Sequence, residues 1–186
     1  MNDTIGTILE RRSIRDYQDR PVPRADMERI IEAGLYAPSG RNRQASHFLS
    51  VLNKEIIERI TLELKAAIAR MEDSPYRAYV GAASYAVNFN APAFVIVSIN
   101  PASSLTPAAD AAVALENMFL AARSLGIGSC WVNQVAAAND DKQFSAFLES
   151  LGRPAGYRVY GSAAFGFPAG DFPKPGPRKG LVGWVE

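Results

Sequence analysis

Three arginines and a serine, Arg11, Arg12, Ser13 and Arg15, fall within five positions in the stretch ERRSIRDY. Guanidinium groups make bidentate, charge-assisted hydrogen bonds to phosphate, and a serine hydroxyl adds a short-range donor. The same cations could instead complement a helix C-terminus and pair with Glu10, Asp16 or Asp19. A second patch, PSGRNRQ, offers Pro38, Ser39, Gly40, Asn42 and Gln44. Its amides and hydroxyl can read the polar edge of a ring, or can serve ordinary turn chemistry on their own backbone. A third, GIGSCWVNQ, joins small residues to Trp131, Val132, Asn133 and Gln134. Glycines there let a flat ligand approach the backbone; equally, the stretch reads as a helix cap followed by a core strand with Trp131 inside. Cys130 and His47 are the sole cysteine and histidine. Nothing in the sequence pairs them for nucleophilic catalysis, so Cys130 reads as a buried, inert thiol.

Composition narrows the chemistry. Twenty basic against nineteen acidic residues leave a net charge of +1, whereas a generic nucleic-acid binder carries a strong basic excess. The arginine cluster is therefore local chemistry. One cysteine and one histidine exclude an intramolecular disulfide and a Cys/His zinc site within one chain. No Gly-x-Gly-x-x-Gly or P-loop pattern occurs. The N-terminus has no basic segment leading into a long apolar run, and no stretch of about 18 uncharged apolar residues appears. A soluble cytoplasmic protein of one domain, residues 1–186, is the expectation, with neither nucleic acid nor membrane as partner.

The elements that must carry these patches follow from periodicity. Ile5, Ile8 and Leu9 share one face of a short first helix, with Asp3 or Thr4 as cap. A second helix follows Val22, with Pro23 suited to its first position and Met27, Ile30, Ile31 and Leu35 in an apolar stripe. HFLSVLN reads as a strand, and residues 54–71 as a third helix. Residues 74–90 read as part helix, part loop. APAFVIVSI is a strong strand. PAADAAVALENMFLAARSLG is a long helix ended by Gly126. It is apolar around most of its circumference, so its own domain or a second subunit must cover it. IGSCWVNQV is a strand running into a loop; Asp140 and Gln143 resemble a capping box; YRVYGSAAFGF is the last strand. The proline-rich tail keeps Leu181, Val182, Trp184 and Val185, which suits an extended arm crossing another surface.

Taken in order, RRSIRDY, LYAPSGRNRQ, DAAVALENMFLAARSLGIGSCWVNQ, YGSAAFGFPAG and KPGPRKG resemble the nitroreductase family of flavin mononucleotide (FMN) enzymes over nearly the whole chain. The resemblance implies an α+β fold, a mainly antiparallel sheet flanked by helices in three layers. It also implies an intertwined homodimer, with the long helix at the interface, the arm embracing the partner, and FMN sites between subunits. It places Arg11, Arg12, Ser13 and Arg15 around the cofactor, with Arg11, Arg178 and Lys179 on its phosphate and Arg15 at the N1–O2 edge of the ring. There a fixed cation stabilises the reduced, anionic flavin. Pro38, Ser39, Gly40, Asn42 and Gln44 would come from the other subunit. Residues 131–134 would line one ring face, with a backbone amide near Asn133 towards N5. The implied activity is ping-pong hydride transfer from NAD(P)H, through N5, to a nitroaromatic, quinone or similar small acceptor. Other chemistry on the same fold (dehydrogenation, dehalogenation or flavin fragmentation) and a non-enzymatic phosphate-binding module are the rivals. The sequence departs from the family pattern at Ala45 and Ser46, where Pro-Trp is common, and at Asn133, where glycine or glutamate is frequent.

Overall fold

In the computed structural model, which describes residues 3–186, a four-stranded antiparallel sheet separates two helical layers. Its strands are β1 (Ser46–Val51), β2 (Ala93–Ile99), β3 (Gly128–Val132) and β4 (Arg158–Gly166), in the spatial order β1-β2-β4-β3. Every residue of β2 is buried, because its unbroken apolar run meets a helical layer on each face. The expected α+β class and flanked antiparallel sheet are present.

One layer holds α3 (Lys54–Arg70), α4 (Arg77–Gly81) and α7 (Lys142–Ser150). Ile57, Ile60 and Leu64 pack there with Phe144, Leu148, Phe94, Ile96 and Val132. The opposite layer holds α2 (Arg24–Leu35) and α5 (Pro107–Ser124). Met27, Ile30, Leu115 and Met118 there cover Val95, Val97, Ala163 and Phe165. Alternation along β2 thus sends Phe94 and Ile96 to one core and Val95 and Val97 to the other. Each fully buried leucine or isoleucine contributes roughly 1.5–3 kcal/mol. Gly126, at φ +73° just past α5, turns the chain back into β3.

Local boundaries differ from the sequence reading in four places. Asp3 and Thr4 lie inside the first turn of α1 (Asp3–Glu10), so neither caps it. Pro23 is the N-cap of α2 rather than its first helical residue. A one-turn helix, α6 (Gln134–Ala137), follows β3 where a loop was expected; four residues are too few to show a period. The α7 cap is Asp141, whose carboxylate accepts from Phe144 N at 2.8 Å, not Asp140. Arg70 decides the register. It grips Asp141 bidentately, with Nε on Oδ2 and Nη2 on Oδ1, each at 2.7 Å. Asp140 pairs with Arg158 instead.

The Arg70 hydrogen bonds, aided by the Phe144 amide, hold the Asp141 carboxyl below its usual range against the opposing effect of burial. A carboxylate depressed on folding contributes stability that is fully present above its unfolded pKa of about 3.9 and is lost as pH falls through the lower folded value. Asp141→Asn should therefore melt below the wild type at pH 6. The gap should narrow as pH drops below roughly 4, read by calorimetry across a pH series.

Candidate functional site

The arginine segment is stitched to the sheet. Beyond α1 the chain runs extended, with Ser13 bridging Ser129 of β3 in parallel and Ile14 N–H donating to Ser129 O at 2.9 Å. Farther on, Gln18 N–H donates to Phe167 O at 2.9 Å, Ala169 N–H to Asp16 O at 3.1 Å, and Gln18 Nε2 to Pro168 O at 2.7 Å. Two glycines make room for this strip. A Cβ on Gly128 would stand 2.8 Å from Ile14 Cγ1, and one on Gly166 would stand 2.8 Å from Tyr17 Cδ1. Tyr17 Oη donates to Ile14 O, and burial pushes its phenol well above the usual range, so it stays a donor.

Fixed in this way, the arginines point to different neighbours. Arg11 lies against α5, with Nε 3.2 Å from Glu116 Oε1 and its guanidinium 6.0 Å from the Phe119 ring centroid. That Nε is buried and too poorly aligned with Glu116 to count as a hydrogen bond. Arg12 donates to the carbonyls of Leu9 and Arg11. Partial desolvation, then the charges of Arg178 and Arg11, lower the Arg12 pKa. The C-terminal Arg178 therefore stands in the same positive field as the N-terminal pair. The tail that brings it there passes Arg123, which lies over the Phe172 ring at 4.2 Å and pairs with Glu10 at 2.8 Å. Lys179 is exposed beside Arg178. Arg15 turns away, over the Phe89 ring at 5.7 Å. It lines a cavity of about 390 Å³ with Tyr79, Ser84, Tyr85 and Asn90.

The second patch forms a separate cavity of about 500 Å³, bounded by Pro38, Ser39, Asn42, Gln44, Phe48 and Asp110. Its loop is unusual: Arg41, Asn42 and Gln44 all have left-handed backbone, with φ of 53°, 52° and 50°. Such conformations cost a non-glycine residue roughly 1–2 kcal/mol each. They persist here through a local net. Ser39 Oγ accepts from Gln44 N at 3.0 Å, Ser39 O accepts from Asn42 N at 2.8 Å, and Asn42 Oδ1 accepts from Gln44 Nε2 at 3.0 Å. Gly40 N–H donates to Asp110 Oδ1 at 3.2 Å. Ala45 is buried, and Ser46 opens β1.

In the third patch, Val132 is buried in one core and Trp131 packs in the other, edge-on to Phe119 at 6.5 Å. Both side chains are committed to packing, so any ligand contact from Val132 would run through its backbone. Asn133 and Gln134 stand past the strand end. Asn133 Nδ2 donates to Tyr76 Oη at 2.9 Å, which ties the third patch to residues 74–90. That stretch supplies Tyr79, Tyr85 and Phe89 to the Arg15 cavity, a contribution the sequence reading missed. Its aromatic density was the available signal. Cys130 is buried, and burial pushes its thiol up, which agrees with an inert role.

Within one chain, then, Arg11, Arg12 and Arg178 share a field and Arg15 adjoins the aromatic wall, while residues 38–44 line a different cavity. Among the described residues no cluster could hold a metal ion, and no helix is long and apolar enough to cross a membrane.

A model described as the nitroreductase family matches residues 8–167. A Bacteroides fragilis nitroreductase crystallised with bound FMN superposes with a TM-score of 0.93, at 38% identity and covering 100% of both chains. An Archaeoglobus fulgidus protein with the provisional name NADH dehydrogenase/NAD(P)H nitroreductase is 31% identical over 90% of this chain and 87% of its own. A Bacillus subtilis FMN reductase [NAD(P)H] is 32% identical over 73% of this chain; the match spans 55% of that protein.

Gly128→Ala tests the stitching. The added methyl must displace Ile14, an overpacking cost of about 1–3 kcal/mol. The variant should melt several degrees lower, and limited proteolysis should cut faster within residues 11–18.

Proposed function

The chain belongs to the nitroreductase family, and from that premise we propose that residues 1–186 form one FMN-binding domain of an NAD(P)H-dependent flavin oxidoreductase. The observation that carries the reading is the superposition, over the whole of both chains, on a nitroreductase crystallised with bound FMN; the charges of Arg11 and Arg178 both act on Arg12 beside it. The donor set fits a phosphate. Arg11 keeps a buried Nε without a well-aligned acceptor, and cations held near one another are stabilised by an anion among them.

In this reading Arg11, Arg178 and Lys179 bind the phosphate, with Arg12 and Ser13 beside it. Arg15 brings a fixed positive charge to the ring, which favours a cofactor that gains negative charge on reduction. Trp131, Val132, Asn133 and Gln134 border the ring, the first two through a rigid strand that holds its position by packing. Bound there, FMN would supply two-electron chemistry between NAD(P)H and a nitroaromatic, quinone or similar acceptor, in two half-reactions. The chain contributes position and charge, and water delivers protons.

The functional unit is a homodimer. Leu181 and Trp184 are 100% and 85% exposed on a single chain, a state that apolar groups of this size leave by covering one another or a partner. Leu35, Tyr36 and Leu105 are exposed as well. Leu35 and Tyr36 line the cavity that also holds Pro38, Ser39, Asn42 and Gln44. A partner lying there lets those residues and Gly40 reach its cofactor.

Three outcomes follow. Purified protein should be yellow and should bleach anaerobically on adding NADH or NADPH. Arg178→Ala should weaken FMN binding about tenfold or more, by fluorescence titration, with a shallower salt dependence. Truncation after Phe172 should lower the dimer fraction in analytical ultracentrifugation and lose bound flavin with it. A colourless protein that takes up no added FMN would overturn the proposal.

A further inference from the structure

Asp110 is a buried carboxylate that no catalytic role requires, 5% exposed in the first turn of α5. Both of its oxygens accept hydrogen bonds. Oδ2 accepts from Ser104 Oγ at 2.7 Å, and Oδ1 from both Thr106 Oγ1 at 3.0 Å and Gly40 N at 3.2 Å. The first two partners are near it in sequence, and the third lies seventy residues away, inside the left-handed loop. Burial opposes ionisation, but the three donors outweigh it and leave the carboxyl below its usual range. A buried carboxylate survives only where donors surround it. The Gly40 amide is the one donor contributed by the loop, and a hydrogen bond to a charged acceptor is stronger than one to a neutral group.

The geometry points to Asp110 as the positioning residue that holds the loop at residues 39–44, with left-handed Arg41, Asn42 and Gln44, in its observed shape and so sets the affinity of the cofactor site those residues serve. It rests on the flavin reading above. Arg41, Asn42 and Gln44 occupy backbone conformations they would leave if free. The loop's own hydrogen bonds close it on itself but do not anchor it. Asp110 supplies the anchor, from a helix whose body is packed into the core through Ala111, Ala114 and Leu115. The Ser104 and Thr106 hydroxyls fix the carboxylate in turn, so that Oδ1 faces the loop. Removing the charge therefore frees a loop rather than a helix.

The test compares Asp110→Ala and the near-isosteric Asp110→Asn with wild type as full chains. It uses FMN titration, thermal melts and amide hydrogen exchange. Asp110→Ala should speed exchange at Gly40 and Gln44 at least tenfold and weaken FMN binding about tenfold or more, with only a few degrees' loss in melting temperature. Asp110→Asn, which keeps one acceptor oxygen, should fall between it and wild type on both readouts. Unchanged exchange at residues 39–44 in Asp110→Ala overturns the inference, as does loss of FMN affinity only in step with global unfolding. If wild type itself fails to bind FMN, the functional reading is the part that falls, while the exchange data still judge the anchor.

Discussion

The hydrogen bond from Ile14 N–H to Ser129 O fixes where the arginine segment can be. It adds a short parallel strip to the open side of β3, at the edge of the sheet. Without that strip the arginines would ride on a connection free to wander, at an entropic cost of roughly 1–2 kcal/mol for each residue a ligand then had to order. With it, Ile14 is buried and its neighbours are held at fixed positions. Arg11 and Arg12 reach the region of α5 and the tail, and Arg15 reaches the aromatic wall. A sheet edge, elsewhere an aggregation hazard, here becomes the mount for charge.

Backbone strain is concentrated beside the two cavities. Besides the loop at 41–44, Phe89 and Asn90 are left-handed, with φ of 54° and 58°. A bulky aromatic rarely adopts that conformation. The buried Asn88 side chain donates to Ala91 O, and Asn88 O accepts from Ala91 N, closing the turn that imposes it. The result sets the Phe89 ring against the Arg15 guanidinium. Both strained stretches border cavities, and both are locked by a buried polar side chain, Asp110 in one and Asn88 in the other. Strain kept where packing over-determines it is a means of holding groups ready before a ligand arrives.

What the sequence made legible divides along physical lines. β2 and α5 could be read because long runs of one period leave little choice of partner layer. The Arg11–Arg15 cluster was visible because its members are neighbours in the chain. Contacts between distant residues were not. The Asn133–Tyr76 bond spans 57 positions, and residues 74–90 have no regular period because their aromatic rings serve a cavity wall more than a helix face. The α7 cap shifted from Asp140 to Asp141 because a distant Arg70 chose between adjacent aspartates. The sequence reading did not single out Asp110, although the preceding Ser104 and Thr106 already hinted at a local carboxylate cradle. Arg178 and Lys179 came from family resemblance, and composition gave no reason to single them out.

The strip at residues 13–18 also constrains the order of folding. Its partners Ser129 and Phe167 lie far along the chain from Ile14 and Gln18, so a long loop must close before the strip can dock, and that entropic cost falls late. The four strands and the helices over them pair and pack through other residues. The arginine segment is therefore the last piece of the sheet to be seated, and the cores form beside an edge still open.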